Sequence, residues 1–180
     1  MTWILTRTGK RFDLFEPKPE MIDPRDLSHA LAHLCRFNGH AARHYSVAQH
    51  SYLVSGLVPA QDKLAGLLHD ATEAYVGDMV RPLKEQMPAF REVEDRIWQA
   101  ICARFDLDEE LPASVKHADL QALATERRDL MPRHPAEWTC LQGVEPLEAC
   151  IKPWSIEEAH TFYHYRLMEL LSSTHRAANA

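Results

Sequence analysis

The sequence predicts an all-α protein: a helical bundle of five to seven helices preceded by a small N-terminal β-hairpin. Three observations carry this. From Asp23 onward apolar residues recur at three- and four-residue spacing. Prolines and glycines cut that pattern into segments joined by short loops. No strand–helix alternation of the Rossmann or barrel kind is present. The 180 residues, 46% hydrophobic and 26% charged, are read as one domain spanning 1–180.

The elements follow in order. Trp3-Ile4-Leu5-Thr6 and Phe12-Asp13-Leu14-Phe15 are β-prone runs on either side of Thr8-Gly9-Lys10, so residues 1–20 are expected to form a hairpin that ends at Pro17 and Pro19. Asp23-Pro24 is an N-cap followed by proline at the first helical position. Leu27, Ala30, Leu31 and Leu34 then mark one buried face. After a loop at Asn38-Gly39, a second helix is expected from Ser46 to Val54, and a third from Gln61 to Tyr75 with Gly77 as its C-cap. Asp78–Gln86 is a segment broken by Pro82. A fifth helix starts after Pro88 and carries Phe90, Val93, Ile97, Ile101 and Phe105. A sixth starts at Pro112 and carries Val115, Ala118, Leu120 and Leu123. Pro132–Pro153 reads as loop, and a last helix as running from Ser155 to Ser173.

Composition excludes several functions. The formal charge is −6, from 20 basic and 26 acidic side chains, which gives no footprint for nucleic acid but leaves room for one small anionic substrate held by local cations. No apolar run reaches the roughly 18 residues of a membrane span. Charges at Arg7, Lys10, Arg11 and Asp13 fall where a signal peptide needs an apolar stretch, so a cytoplasmic location is expected. Cys35, Cys102, Cys140 and Cys150 form no C-x-x-C pair and are expected to be reduced thiols. The 11 histidines are the unusual number, because imidazole titrates near neutrality and is the commonest metal ligand.

The expected third helix localises the chemistry. On a helical wheel Leu64, Leu67, Leu68, Ala71 and Tyr75 form one stripe, while Gly66, His69, Asp70 and Glu73 lie opposite. A solvated face would carry Lys, Gln and Glu; this one is expected to line a polar pocket, with Gly66 leaving space for a bulky group. Two further residues belong with it. His50 sits among Val47, Gln49, Ser51 and Val54. Asp119 lies within an apolar stripe, where an unpaired carboxylate costs several kcal/mol and so requires a cation or hydrogen bonds. Lys116, Arg127 and Arg128 are the ordinary partners it could have. The alternative is a two-His, two-Asp set of His50, His69, Asp70 and Asp119 around one divalent ion (Mn, Co, Fe, Ni, Zn or Mg), whose bound water becomes a nucleophile near neutral pH.

The series His50, His69-Asp70, Asp119 resembles the H…HD…D signature of the HD-domain metal-dependent phosphohydrolases. Arg36-Phe37-Asn38-Gly39, Tyr45-Ser46-Val47-Ala48-Gln49-His50-Ser51, the run from His69 to Asp78, Pro82-Leu83-Lys84 and Lys116-His117-Ala118-Asp119 are similar to the bacterial 5′-deoxynucleotidase group of that superfamily, and to its small phage deoxynucleoside triphosphohydrolases. The resemblance covers about residues 27–125. It implies that His50, His69, Asp70 and Asp119 are the metal ligands, that Glu73 and Asp78 are the catalytic acid/base and orienting groups, and that Arg36 binds phosphate. Lys84 and Lys116 are secondary phosphate candidates whose ordinary reading is solvated lysine. Glu73 is followed by Ala74 rather than an aspartate, which disfavours guanosine-tetraphosphate hydrolysis, and no Gly-Tyr-Pro is present, which disfavours cyclic dinucleotides. The expected activity is hydrolysis of (deoxy)nucleoside 5′-monophosphates to nucleoside and phosphate. The alternatives are a deoxynucleoside triphosphate triphosphohydrolase and, from another class, a non-catalytic metal-stabilised nucleotide-binding protein. The resemblance also implies a homodimer.

Overall fold

The computed structural model describes residues 1–178, with side chains placed for residues 1–173. Strands β1 (Trp3–Leu5) and β2 (Arg11–Asp13) form the expected hairpin, antiparallel, with Ile4 opposite Phe12. Among the described residues the rest is helical or loop, as the sequence predicts, apart from one isolated bridge between Cys35 and Ser46: α1 (Pro24–His33), α2 (Val47–Leu57), α3 (Lys63–Leu68), α4 (Glu73–Val76), α5 (Arg81–Lys84), α6 (Pro88–Phe105), α7 (Ala113–Leu130) and α8 (Ile156–Ala178). Among the described residues no helix is long and apolar enough to cross a membrane.

The helix starts follow local chemistry. The Asp23 carboxylate accepts the Arg25 amide at 3.0 Å, and the Ser46 hydroxyl accepts the Gln49 amide at 3.1 Å, each taking an amide that the first turn leaves without a partner. At α8 the capping is reciprocal: Ser155 Oγ accepts the Glu158 amide and Glu158 accepts the Ser155 amide. Prolines open α1, α5 and α6, where the missing N–H costs little. The second helix runs three residues beyond the expected Val54, to Leu57, because nothing breaks it before Val58-Pro59.

α2 lies at the centre. It packs on α1, α3, α7 and α8, and its residues from Val47 to Ser51 are all buried. The main core joins Leu27 and Leu31 of α1, Val47 of α2, Leu67 and Leu68 of α3, Ile97 and Ile101 of α6, and Tyr163 and Leu167 of α8. A second, smaller cluster of Val54, Val58, Ala65, Val115, Ala118 and Ala122 seats α7 against α2 and α3, and it brings Asp119 to face His50.

Two expectations about the third helix are corrected. It is not one helix: α3 ends at Leu68 and α4 begins at Glu73, with the intervening residues in tight turns. The amides of Ala71, Glu73 and Ala74 bond to Leu68, Asp70 and Ala71, one residue short of α-helical register. Side chains take the carbonyls this tightening releases: His69 Nδ1 donates to Gly66 O at 2.9 Å, and Tyr163 of α8 donates its hydroxyl to Leu67 O at 3.1 Å. Gly66, moreover, leaves no room for a ligand. A Cβ there would stand 3.3 Å from the Ser55 backbone and from Val58, so the glycine is what lets α2 and α3 approach.

The hairpin is part of this core. The fully buried Phe12 ring stacks on Tyr75 of α4, centroids 3.7 Å apart and planes 8° from parallel. Asp26 of α1 accepts both the amide and the hydroxyl of Thr8 at 2.7 Å. Replacing Phe12 by alanine is expected to cost about 3–5 kcal/mol of stability, as for a fully buried aromatic ring. Denaturant unfolding would measure it, and a loss under about 1 kcal/mol would show that the hairpin contributes little to the core.

Candidate metal centre

His50 is the innermost member of the site, fully buried one turn into α2. Its Nε2 lies 3.2 Å from His69 Nε2, 3.2 Å from Asp119 Oδ1 and 3.5 Å from Asp70 Oδ2. His69 Nε2 is 3.3 Å from the same Asp70 oxygen and 4.0 Å from Asp119 Oδ1. The tight turn after α3 thus carries His69 and Asp70, α2 carries His50 and α7 carries Asp119. One atom from each of His50, His69 and Asp119 falls within 4.8 Å of the others, a group able to hold a metal ion. Asp70, which reaches both imidazoles, completes a mixed nitrogen–oxygen set of the kind divalent transition ions accept.

A second layer holds these ligands, and the sequence did not reveal it. Glu126 of α7 is fully buried and stands 2.6 Å from His50 Nδ1. It fixes the tautomer that presents Nε2 to the cluster, as outer carboxylates do for metal-bound histidines. The backbone carbonyl of Gly66 does the same for His69. Arg36 donates from Nε to Glu126 at 3.2 Å and from Nη1 to Asp70 at 3.4 Å, so it ties the second layer to a ligand. The signal for Glu126 was its place in α7, two turns after Asp119 on the same face, but a glutamate near Arg127 and Arg128 reads from sequence as a surface residue.

The electrostatics follow from burial. For His50, burial and the neighbouring Arg36 oppose the imidazolium, but Glu126 and Asp119 outweigh them and push its pKa up to about 9. Burial would raise Asp70, but the His69 imidazole, then His50 and Arg36, hold it well below the usual carboxylate range. Asp119 is likewise lowered: burial works against it, and the hydrogen bond and charge of His50 prevail. Glu73 goes the other way. Burial, reinforced by the charges of Asp70 and Asp78, raises it well above the usual range, and its Oε2 has no hydrogen-bond partner. Asp78 is also raised, chiefly by burial, although the Arg36 charge pulls it down.

The expected phosphate-binding cations are placed differently from an open anion clamp. Arg36 is nearly buried and engaged with Glu126 and Asp70. Lys84 of α5 pairs with Glu94 of α6 at 2.8 Å. Lys116 is largely exposed, 3.9 Å from Glu110, and fits the ordinary surface reading. Nor do the basic residues near Asp119 serve it: Arg127 bonds to the Ala136 carbonyl and Arg128 to Asp129, and Asp119 pairs with His50.

Two outcomes are expected. Glu126→Gln should weaken divalent-metal binding by about 10–100-fold in calorimetric titration with Mn²⁺, the usual effect of losing an outer-layer partner; wild-type affinity would remove Glu126 from the site. In chelator-treated protein, His50 titrates higher when folded than the ordinary value of about 6.5. Its contribution to stability is therefore full below that pH and is lost as pH rises through about 9. The melting temperature should fall across that window more steeply for wild type than for Asp119→Asn, which lacks a carboxylate that favours the imidazolium; parallel curves would refute the pairing.

No family model matches the chain. It is 40% identical over 148 residues to a protein of Escherichia coli (strain K12) described as "Uncharacterized protein YfdR", a match covering 82% of this chain and 83% of YfdR. It is also 39% identical over 126 residues, 64% of each chain, to an uncharacterized protein of Rhodobacter capsulatus. Similarity of that depth along more than four-fifths of both sequences places this protein in the family of YfdR.

Proposed function

We propose that this protein is a divalent-metal-dependent phosphohydrolase of the HD type that converts (deoxy)nucleoside 5′-monophosphates to nucleoside and phosphate. The observation that supports it most is the layered polar cluster: His50, His69, Asp70 and Asp119 face one point, with Glu126 and Arg36 fixing their orientation from behind. A purely structural ion would have no use for a buried, proton-holding carboxyl beside it, and Glu73 is one.

His50, His69, Asp70 and Asp119 would hold the ion, which when bound supplies a Lewis acid for a phosphoryl oxygen and acidifies its water. The remaining roles belong to the chain. Glu73, kept protonated by burial and by the charges of Asp70 and Asp78, gives a proton to the leaving oxygen. Asp78 orients the attacking water. Arg36 holds Asp70 and Glu126 in place and adds positive charge where negative charge gathers on the phosphoryl group.

Charge favours a monophosphate over a triphosphate. The carboxylates of Asp70, Asp78, Asp119 and Glu126 surround the centre, whereas Arg36 and Lys84 are already paired with acidic residues. A triphosphate, with about four negative charges at neutral pH, would find little to neutralise it. The reading carries with it a cytoplasmic location and a homodimer.

Purified protein should be incubated with deoxynucleoside mono- and triphosphates under Mn²⁺, Co²⁺ and Mg²⁺, and the products assayed for phosphate and triphosphate. Phosphate from the monophosphates is expected; triphosphate release with no monophosphate turnover overturns the ranking, and no turnover with any metal overturns the enzyme. Asp119→Ala should lose metal and activity together. Glu73→Gln should keep the metal and lose about 10²–10⁴ in kcat, the usual worth of a positioned acid; a full rate would end its catalytic role.

A further inference from the structure

Lys84 borders the metal centre but is held away from its chemistry by Glu94. It ends α5, in the segment that follows Asp78. Its charge draws Glu73 and Asp78 down, and the charges of Glu73 and Asp70 in turn draw Lys84 up, so the ammonium lies within electrostatic reach of the buried carboxyls. Its direct partner is Glu94 of α6, which accepts from Nζ at 2.8 Å. Neither member is a free surface charge: side-chain exposure is 28% for Lys84 and 13% for Glu94. Burial opposes the ammonium, but Glu94, by hydrogen bond and by charge, outweighs it, with Glu73 and Asp70 adding to the effect. A pair so far withdrawn from water is screened less than an exposed one.

Lys84 and Glu94 also line an open cleft of about 350 Å³, together with Arg81, Glu85, Arg91 and Asp95. Lys84 is thus common to the cleft and the surroundings of the centre. Among the described residues neither Arg81 nor Arg91 enters a salt bridge, and Lys84–Glu94 is the one pair formed inside the cleft. Three cations therefore gather where they could receive phosphates beyond the reacting one, and Glu94 occupies the one that reaches the centre. Resting on the reading of the centre as a nucleotide phosphohydrolase, we propose that Glu94 is a specificity-determining residue: by occupying Lys84 it closes the Arg81–Lys84–Arg91 cleft to a polyphosphate chain and keeps the centre to monophosphates. A triphosphate brings about two more negative charges than a monophosphate at neutral pH. To enter, it must take Lys84 from Glu94 and then lie beside the carboxylate it has displaced. Rejection by a like charge of this kind is a common source of selectivity. Glu85 and Asp95 carry the same sign, but they are exposed and more strongly screened. A pair that served only to fix α5 on α6 would lose stability when broken and would gain no ligand.

The test is calorimetric titration of the full chain with inorganic triphosphate and with inorganic phosphate. Glu94→Gln, which keeps the shape and removes the charge, should bind triphosphate at least about tenfold tighter than wild type, the worth of one charge-assisted contact, with a smaller gain for phosphate. Glu94→Ala, which frees Lys84 entirely, should show the same preference and stands in if the glutamine variant does not fold. Glu94→Gln/Lys84→Met should lose the gain. No gain for triphosphate in either single variant, equal gains for phosphate and triphosphate, or a gain kept without Lys84 each overturns the proposal. In the nucleotide assay, inhibition of monophosphate turnover by a deoxynucleoside triphosphate should strengthen by about the same factor in Glu94→Gln. The calorimetry reads the cleft without turnover. A protein that hydrolyses no nucleotide, but whose Glu94→Gln variant gains triphosphate binding through Lys84, therefore supports the closed cleft and overturns only the reaction.

Discussion

An imidazole and a carboxylate share complete burial in the middle of this bundle, and the contact between them, His50 Nδ1 to Glu126 at 2.6 Å, is what the rest of the site is arranged around. Neither group tolerates that position alone. A buried carboxylate without a partner costs several kcal/mol, and removal of one member of such a pair typically costs about 3–5 kcal/mol. The pair therefore draws in charge of both signs. Arg36 approaches Glu126 from one side, and Asp119 and Asp70 approach His50 from the other. The outcome is a chain of alternating charge from Glu126 through His50 to Asp119, and from Glu126 through Arg36 to Asp70. Each link holds the next in one orientation, as a site that binds a small hard or borderline cation needs.

The backbone has been adapted to the same end. The helix expected through residues 61–75 is broken by tight turns between α3 and α4, and there His69 Nε2 stands 3.3 Å from Asp70 Oδ2. Released carbonyls would destabilise a buried break of this kind if they were left alone. One is taken by His69 itself and one by Tyr163, so the geometry of the site depends on α8 being in place. The hairpin braces the far end of the same segment through the Phe12–Tyr75 stack. The two parts of the chain most distant in sequence, the hairpin and the last helix, thus support the turn that carries the chemistry.

The residues differ in how readable they are, and the reason is physical. Helix existence, the hairpin, the cap at Asp23 and the prolines at helix starts are decided by interactions within a few residues, so spacing and residue type suffice to find them. The buried stripe of Leu64, Leu67, Leu68, Ala71 and Tyr75 was legible for the same reason, and it survives the break because the turns keep near-helical angles. Asp119 stood out because a carboxylate in an apolar stripe demands a partner, and His69 and Asp70 because the helix face they share lacks the long solvated side chains of a surface.

What local chemistry does not contain is who those partners are. Asp119 had three basic neighbours in sequence and chose His50, 69 residues away, because α7 docks on α2 through Val54, Ala118 and Ala122. Glu126, which spacing did not single out, is fully buried for the same reason. Arg36 looked like a free cation and is bound by Glu126 and Asp70. Gly66 looked like an opening and is a helix contact. The sequence by itself determined the elements, their buried faces and the residues too polar for their surroundings. Only the tertiary structure decided the pairings, because a charge is satisfied by whatever lies within a few ångströms of it, and that distance is set by how helices far apart in the chain come to pack.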